Sequence, residues 1–356
     1  MIIFSPGPSN ISERVRRALL APDVCHRDEE FTSLLAGVRQ GILDVAGVGA
    51  SDSHAAVVLG GSGSVAIESV VAAARPFGRM LVVSNGPYGE RASAMARYHG
   101  VDVHDLALGW GEAIAPDRVD EALATSGAAS LYLVHHETAT GRLNDLGTIA
   151  AVGKARGCLV LADTVSSIAG ETIDVAGWRL DALIGSANKC IRGVPGAAFV
   201  IASRPFLDGA QRQRAAHYSN LATHVAAEDR GDTPFTPPVQ VMYAFHEALR
   251  ETLDEGVPAR IAHYAALMQL VQRRLLGMGL RFLLDATAYG STLLSCHLPA
   301  GHGYASLHRA MKERGYVIYA AQGALKERAF RLGLIGHFGT AEVTGFLDAL
   351  EEFLRS

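Results

Sequence analysis

Between residues 55 and 202 the chain alternates short apolar runs with amphipathic stretches. The apolar runs fall at 55–59, 80–84, 131–134, 158–162, 182–185 and 197–202, and helical periods separate several of them at 65–74, 89–98, 119–125 and 148–155. Runs this short, apolar on both faces and spaced by helices, predict a mainly parallel sheet covered by helices on both sides. Ahead of this block, residues 1–10 predict an extended arm with a turn at Pro6-Gly7-Pro8. Ser12 is placed to cap a helix over 13–20, and a second helix is expected over 32–45. Beyond it, 206–217 reads as a polar helix, the prolines at 234, 237 and 238 interrupt the chain, and 239–255 and 260–278 read as two long helices joined at Gly256-Val257-Pro258. The pattern then changes. Short strands at 281–284, 292–297 and 317–319, with helices at 304–314 and 342–354, predict a small α+β unit.

Composition narrows the function classes. The net charge is −4 and no Lys/Arg run is dense enough for a nucleic-acid arm. No run of about 18 apolar residues is present, so no membrane span is expected. The opening MIIFSPGPSN is too short and proline-broken for a signal peptide, which points to a cytoplasmic protein. The four cysteines, Cys25, Cys158, Cys190 and Cys296, are scattered without CxxC spacing, so reduced thiols are expected rather than disulfides or zinc ligands.

Candidate chemistry clusters where apolar runs end. Lys189 follows the run 182–185 in Asp181-Ala-Leu-Ile-Gly-Ser-Ala-Asn-Lys189-Cys-Ile-Arg-Gly-Val-Pro-Gly196. A lysine there snorkels to solvent, pairs, or does chemistry; a desolvated amine has a lowered pKa and can form a Schiff base with an aldehyde. Asp163 ends the run 158–162. In an open α/β sheet, ligands sit beyond the carboxyl ends of the strands. Gly60-Gly-Ser62-Gly63-Ser64 opens a helix and offers N–H groups to an anion, or is a plain glycine turn. It lacks the GK[ST] of a P-loop, and Ala66 stands where a dinucleotide fingerprint needs its last glycine. Tyr88 can stack on a flat ring or serve as core. His135-His136-Glu137-Thr138 lacks HExxH spacing, so a hydroxyl from Thr138 near a cofactor is favoured over zinc. Arg331, between apolar neighbours, pairs with an anion, either a structural carboxylate or a substrate's. His26 and Arg27 either reach a site or are surface groups. An anion cradle, a ring face, a hydroxyl, an acid and an amine together describe a site for pyridoxal 5′-phosphate (PLP), with the lysine on the aldehyde carbon and the aspartate on the pyridinium nitrogen.

These segments resemble a known family. Gly61-Ser-Gly-Ser64, Ser84-Asn-Gly-Pro-Tyr-Gly89, His136-Glu-Thr-Ala-Thr-Gly141, Asp163-Thr-Val-Ser-Ser167, Ser186–Gly196 and Phe330-Arg-Leu-Gly-Leu-Ile-Gly336 are similar, in order and approximate spacing, to the class V, fold-type I PLP-dependent aminotransferases, most of all the branch acting on 2-aminoethylphosphonate. The resemblance implies a large PLP-binding domain over 16–255 with a mainly parallel seven-stranded sheet, and a small domain from 1–15 and 256–356. It implies that Lys189 carries the cofactor and moves the substrate proton, and that Asp163 keeps the ring nitrogen protonated. Ser62, Gly63, Ser64 and Asn188 would hold the phosphate, with Thr236 arriving from a second subunit of a homodimer whose sites lie at the interface. Tyr88 would stack on the ring and Thr138 lie near its edge. Arg331 would bind the substrate's acid group, near the Pro6-Gly7 arm. His26-Arg27, in place of a Thr-Trp pair at the substrate entrance, is similar to versions from phosphonate biosynthesis. The implied substrates are a small amine and a 2-oxo acid: 2-aminoethylphosphonate with pyruvate, or the alanine- or serine-plus-glyoxylate pairs of sister enzymes.

Overall fold

A computed structural model describes residues 1–49, 53–212 and 216–355. Its centre is a seven-stranded sheet in the spatial order His54–Gly61, Gly196–Ser203, Ala182–Ser186, Leu159–Asp163, Ser130–Val134, Met80–Ser84 and Val103–Ala107. Gly196–Ser203 runs antiparallel to both its neighbours, and the remaining pairs are parallel. The architecture is therefore the α/β sheet the pattern predicted. One strand escaped the pattern: Val103–Ala107 is an edge strand whose His104 and Asp105 face solvent, so it shows no apolar run.

Helices cover both faces. Glu29–Val45 and Val239–Glu255 pack with Pro116–Ser126 and Leu146–Ala155 around a core that includes Phe31, Leu131, Phe199 and Phe245. On the opposite face Gly63–Ala74 and Pro87–Tyr98 bury Val70, Val82, Tyr132 and Ile184. Ser12 caps Glu13–Ala18 as expected, its hydroxyl accepting from the Val15 N–H at 3.0 Å. The helix expected over 206–217 is observed as Arg204–Ala210; residues 213–215 lie outside the described residues. A further helix, Leu221–Glu228, carries the buried polar pair His224 and Glu228, which obscured its apolar face in the sequence.

The C-terminal part has its own core, with Phe4, Leu267, Leu294, Phe330 and Phe346 buried together. Its three-stranded antiparallel sheet is Leu293–His297, Ala329–Gly333 and Tyr319–Ala320. The strand expected at 317–319 is two strands: Tyr316–Val317 pairs with Ile2–Ile3, while Tyr319–Ala320 pairs with Ala329–Gly333. The strand expected at 281–284 is reduced to a single bridge, Phe282 to Cys296. Gly333 permits the N-terminal arm to dock, because a Cβ there would lie 2.0 Å from the Ser5 carbonyl oxygen. The arm is thereby led toward Lys189.

The turn that carries Lys189 is tied to the helix Val257–Gly277. Arg260 is fully buried and donates to the carbonyls of Cys190 (3.1 Å) and Ile191 (3.3 Å), to Thr252 Oγ1 (2.6 Å) and to Glu255 (2.7 Å). Tyr264 adds a hydroxyl donated to the Cys190 carbonyl at 3.2 Å. Removing a buried cation from such a set leaves its acceptors unpaired. Arg260→Met is expected to destabilise the protein by about 3–5 kcal/mol in urea unfolding. A loss no larger than that of an exposed-site substitution would show that the turn does not depend on this guanidinium.

Candidate active site

Five of the loops beyond the sheet lie at one edge, following strand ends at Gly61, Ser84, Val134, Asp163 and Ser186. They enclose a cavity of about 200 Å³ lined by Ser62, Gly63, Ser64, Tyr88, Asp163, Asn188 and Lys189, with Gly7 of the N-terminal arm on the far side. Most of the residues expected to form a site are thus brought together by the topology alone.

Lys189 opens on this cavity and keeps part of its side chain accessible, yet desolvation lowers its pKa, an effect that outweighs the nearby Tyr88 and Asp163. Its ammonium donates to the Pro6 carbonyl. The fit of the arm is close: a Cβ on Gly7, whose φ is +117°, would lie 2.7 Å from Lys189 Cδ. Asp163 is buried, and burial pushes its carboxyl up to about 6. Its Oδ1 accepts from the Val165 N–H at 3.0 Å, while the Tyr132 hydroxyl stands 3.5 Å from Oδ2. The register pairs Asp163 with Ile184, so the acid ends its strand beside the one that leads to Lys189. Each group is desolvated more than the other compensates it.

The anion end is the start of Gly63–Ala74. Ser62 is its N-cap without a side-chain cap bond; the Val65 N–H donates to the Ser62 carbonyl at 2.9 Å, and the N–H groups of Gly63 and Ser64 have no partner among the described residues, which leaves them for a ligand. Space at Gly63 is tight, since a Cβ would meet Val165 Cγ2 at 3.1 Å. Ser186 Oγ donates to Asn188 Oδ1, which turns the amide toward the cavity.

Arg331 is buried beside this cavity. Its Nε donates to the Ala320 carbonyl at 2.9 Å and its Nη1 to the Thr138 carbonyl at 3.0 Å. Burial lowers its pKa, while the nearby Tyr88 phenol opposes that shift. Thr138 is buried, and its backbone oxygen rather than its hydroxyl makes the contact with Arg331. Of the expected residues, Thr138, Arg331, Pro6, Thr236, His26 and Arg27 do not line the cavity within one chain; the first three adjoin it, through the bond of Arg331 to the Thr138 carbonyl and that of Lys189 to the Pro6 carbonyl. Thr236 lines a separate small hollow with Tyr218 and Phe235. Arg27 pairs with Asp232 and donates to the Thr233 carbonyl at 2.8 Å, so Arg27 is held to the segment that carries Thr236.

Among the cavity residues, Arg91 was not expected from the sequence, and His136 was weighed only as a zinc ligand. Arg91 lines the cavity and lies over the Tyr88 ring, 5.0 Å from its centroid. The spacing i, i+3 from Tyr88 on a helix was the available signal. His136 also lines the cavity; its buried Nε2 has no hydrogen-bond partner among the described residues, and burial lowers its pKa to about 4.

The arrangement suits PLP on its own chemistry. A buried acid without a contacting cation among the described residues matches a ring nitrogen that becomes charged, a desolvated amine matches an aldehyde, and a helix start without a side-chain cap matches a phosphate. The profile described as "Aminotransferase class-V" matches residues 12–323. A 2-aminoethylphosphonate–pyruvate transaminase from Burkholderia thailandensis is 35% identical over 100% of this chain and 97% of its own length. One from Salmonella paratyphi B is 34% identical over 98% and 96%. Among solved structures, an aspartate aminotransferase from Thermus thermophilus superposes with a TM-score of 0.90 at 28% identity, covering 100% of this chain and 99% of that one. An alanine–glyoxylate aminotransferase from Nostoc reaches 0.93 at 27% identity, covering 99% and 95%. Family profile, full-length relatives and cavity chemistry agree: the chain belongs to the class V aminotransferases.

Proposed function

We propose that this aminotransferase interconverts 2-aminoethylphosphonate plus pyruvate with phosphonoacetaldehyde plus L-alanine. The single observation that carries the reading is the meeting of the desolvated Lys189 and Asp163 in one cavity, in a chain similar along its whole length to transaminases of that name. PLP, when bound, supplies the electron sink that lets a proton leave the carbon bearing the amine. Lys189 then moves that proton, a role favoured by the burial that lowers its pKa and so eases loss of its own proton. Asp163 would face the ring nitrogen and keep it protonated. Ser62, Gly63, Ser64 and Asn188 would bind the phosphate, Tyr88 would lie against the ring, and Thr138 would lie near its edge. Arg331 binds the acid group of the substrate, with Pro6 and Gly7 closing over the lysine.

The active unit in this reading is a cytoplasmic homodimer. Thr236 of the partner subunit completes the phosphate site. His26 and Arg27 travel with it, because Arg27 is held to the same segment. Residues 16–255 form the large domain and residues 1–15 with 256–356 the small one. Among the described residues no helix is long and apolar enough to cross a membrane. A second reading, an alanine- or serine–glyoxylate aminotransferase, draws on the Nostoc structure and on Arg331, whose planar fork also suits a carboxylate.

A coupled assay separates the two. Alanine is expected to form from pyruvate with 2-aminoethylphosphonate, and glycine from glyoxylate with alanine or serine only slowly; the reverse ranking establishes the second reading. In the same assay Lys189→Ala is expected to lose several orders of magnitude in turnover and the visible absorbance of lysine-bound PLP. Arg331→Ala is expected to weaken capture of the phosphonate by about 2–5 kcal/mol in kcat/KM; an unchanged value moves acid recognition elsewhere. Asp163→Asn carries a sign that stability measurements read directly. Burial raises the folded-state carboxyl to about 6, so the folded chain binds a proton more tightly than the unfolded one. Stability of the cofactor-free protein therefore falls as pH rises from the unfolded carboxyl value through the folded one. Asp163→Asn removes that loss, so the variant is expected to be more stable than wild type by roughly 2–3 kcal/mol above pH ~7 and equal to it in acid, while turnover drops. Urea unfolding at both ends of the range checks this.

A further inference from the structure

Glu137 is the most deeply buried acid near the cavity, with no exposed surface, and no step described so far uses it. It has no cation in ion-pair contact among the described residues. Instead its two oxygens take backbone donors from two different loops. Oε1 accepts from the Ala139 N–H at 3.0 Å, and Oε2 accepts from the Tyr88 N–H at 3.2 Å. Tyr88 stands in the first turn of Pro87–Tyr98, where N–H groups lack intrahelical partners; the N-cap, Gly86, has no side chain to serve them. The carboxyl of Glu137 does this from another strand end, and a negative charge at a helix start is favourable.

Gly86 supports the same conclusion independently. Its φ of 174° and ψ of 176° are extended, so backbone conformation does not require glycine there. Space does. A Cβ at Gly86 would lie 2.4 Å from Glu137 Cδ and 2.6 Å from Oε2, the oxygen that accepts from Tyr88. A second buried tie joins the same two loops: Asn85 Nδ2 donates to Asn144 Oδ1 at 2.7 Å, and Asn144 Nδ2 donates to the Val134 carbonyl at 2.8 Å. On the turn that follows Glu137, the Thr138 carbonyl holds Arg331 Nη1, and Tyr88 itself reaches Arg331.

We propose that Glu137 is a positioning residue for this site: its buried carboxylate fixes Tyr88 against the cofactor ring and, through the Thr138 turn, keeps ring face and acid-binding arginine in one geometry. The inference rests on the proposed function. Glu137 does not touch substrate or cofactor; it acts through the Tyr88 backbone. Burial pushes its carboxyl up to about 7 although both N–H donors pull it down, so the acid is costly to ionise here and a merely space-filling side chain would be cheaper.

The test uses full-length protein loaded with PLP, with cofactor affinity from equilibrium dialysis and circular dichroism of the cofactor's visible band as readouts beside turnover. Glu137→Gln keeps the volume and one acceptor oxygen, and sets an NH₂ against the second N–H. It is expected to weaken PLP binding about ten-fold or more and to change the sign or size of the cofactor band. Gly86→Ala is expected to do the same by displacing Oε2. Added to Glu137→Ala, it is expected to cost nothing further, because the carboxyl it displaces is gone. Wild-type affinity and band shape in Glu137→Gln overturn the inference, as do Gly86→Ala and Glu137→Ala losses that multiply. If Glu137→Ala does not fold, the two remaining single variants decide: both must share the altered band, and a normal band in either one overturns the inference. Wild-type protein that takes up no PLP sinks the functional reading and this inference together, whereas normal uptake by wild type and Glu137→Gln alike sinks this inference alone.

Discussion

The structure is organised by a desolvation cost that the chain does not relieve by itself. An amine and a carboxyl of opposite sign are buried at the ends of two adjacent parallel strands, Leu159–Asp163 and Ala182–Ser186. Each lowers the cost of charging the other, yet burial dominates for both: the acid is pushed up and the amine down. A simple buried ion pair would have moved both the other way. Both groups are thus held toward their neutral forms, in a cavity with an uncapped helix start on one wall. That combination has little value for stability and much for a ligand that brings its own cation, its own carbonyl and its own dianion.

Holding such groups in place requires a stiff surround, and the stiffness is polar as well as apolar. The lysine turn has its carbonyls taken up by Arg260 and Tyr264 from the helix Val257–Gly277. Its own Arg192, at φ +61°, lies over the Tyr264 ring and donates to the Tyr264 hydroxyl at 2.9 Å. The Tyr88 loop is fastened by Asn85, Asn144 and Glu137. In both places a buried side chain satisfies backbone groups that a loop would otherwise show to water, which is the condition for a loop to be buried at all. The N-terminal arm closes the third side by a steric fit, through Gly333 against Ser5 and Gly7 against Lys189.

The sequence made the buried half of this design legible and hid the half that faces outward or spans the chain. Central strands are apolar on both faces, so their runs and the polar residues ending them, Asp163 and Lys189 above all, stood out. Val103–Ala107 did not, because an edge strand with two solvent-facing polar residues carries no run. Leu221–Glu228 did not, because its inward face holds His224 and Glu228, the latter accepting from the Val58 N–H. Glu137 was visible but was weighed only as a zinc ligand; its actual partners are backbone N–H groups, which leave no mark in a residue pattern. Tyr316–Val317 and Tyr319–Ala320 merged into one expected strand because nothing local distinguishes a residue pairing with the N-terminus from one pairing with Ala329–Gly333. Thr236, His26 and Arg27 are of a third kind: their proposed roles need a second subunit, and one chain's geometry gathers them with each other and away from Lys189.

In the proposed reading, recognition of the substrate's acid by Arg331 is more constrained than the choice of arginine suggests. Arg331 spends Nε on Ala320 and one Nη1 hydrogen on Thr138, both backbone carbonyls, and Tyr88 lies nearby. What is left of the fork accepts one oxygen-bearing edge. A carboxylate and one edge of a phosphonate look alike from there, since both offer two oxygens to parallel N–H donors. In that reading Arg331 supplies affinity for an acid without separating the two kinds. Discrimination between sister enzymes has to come from groups that sense the third oxygen and the second charge of a phosphonate, on walls other than the Ala329–Gly333 strand. The same logic explains why relatives named for phosphonate and solved structures named for aspartate and glyoxylate share one scaffold: the scaffold fixes the amine, the acid and the anion edge, and leaves the substrate's far end to be settled by the rim.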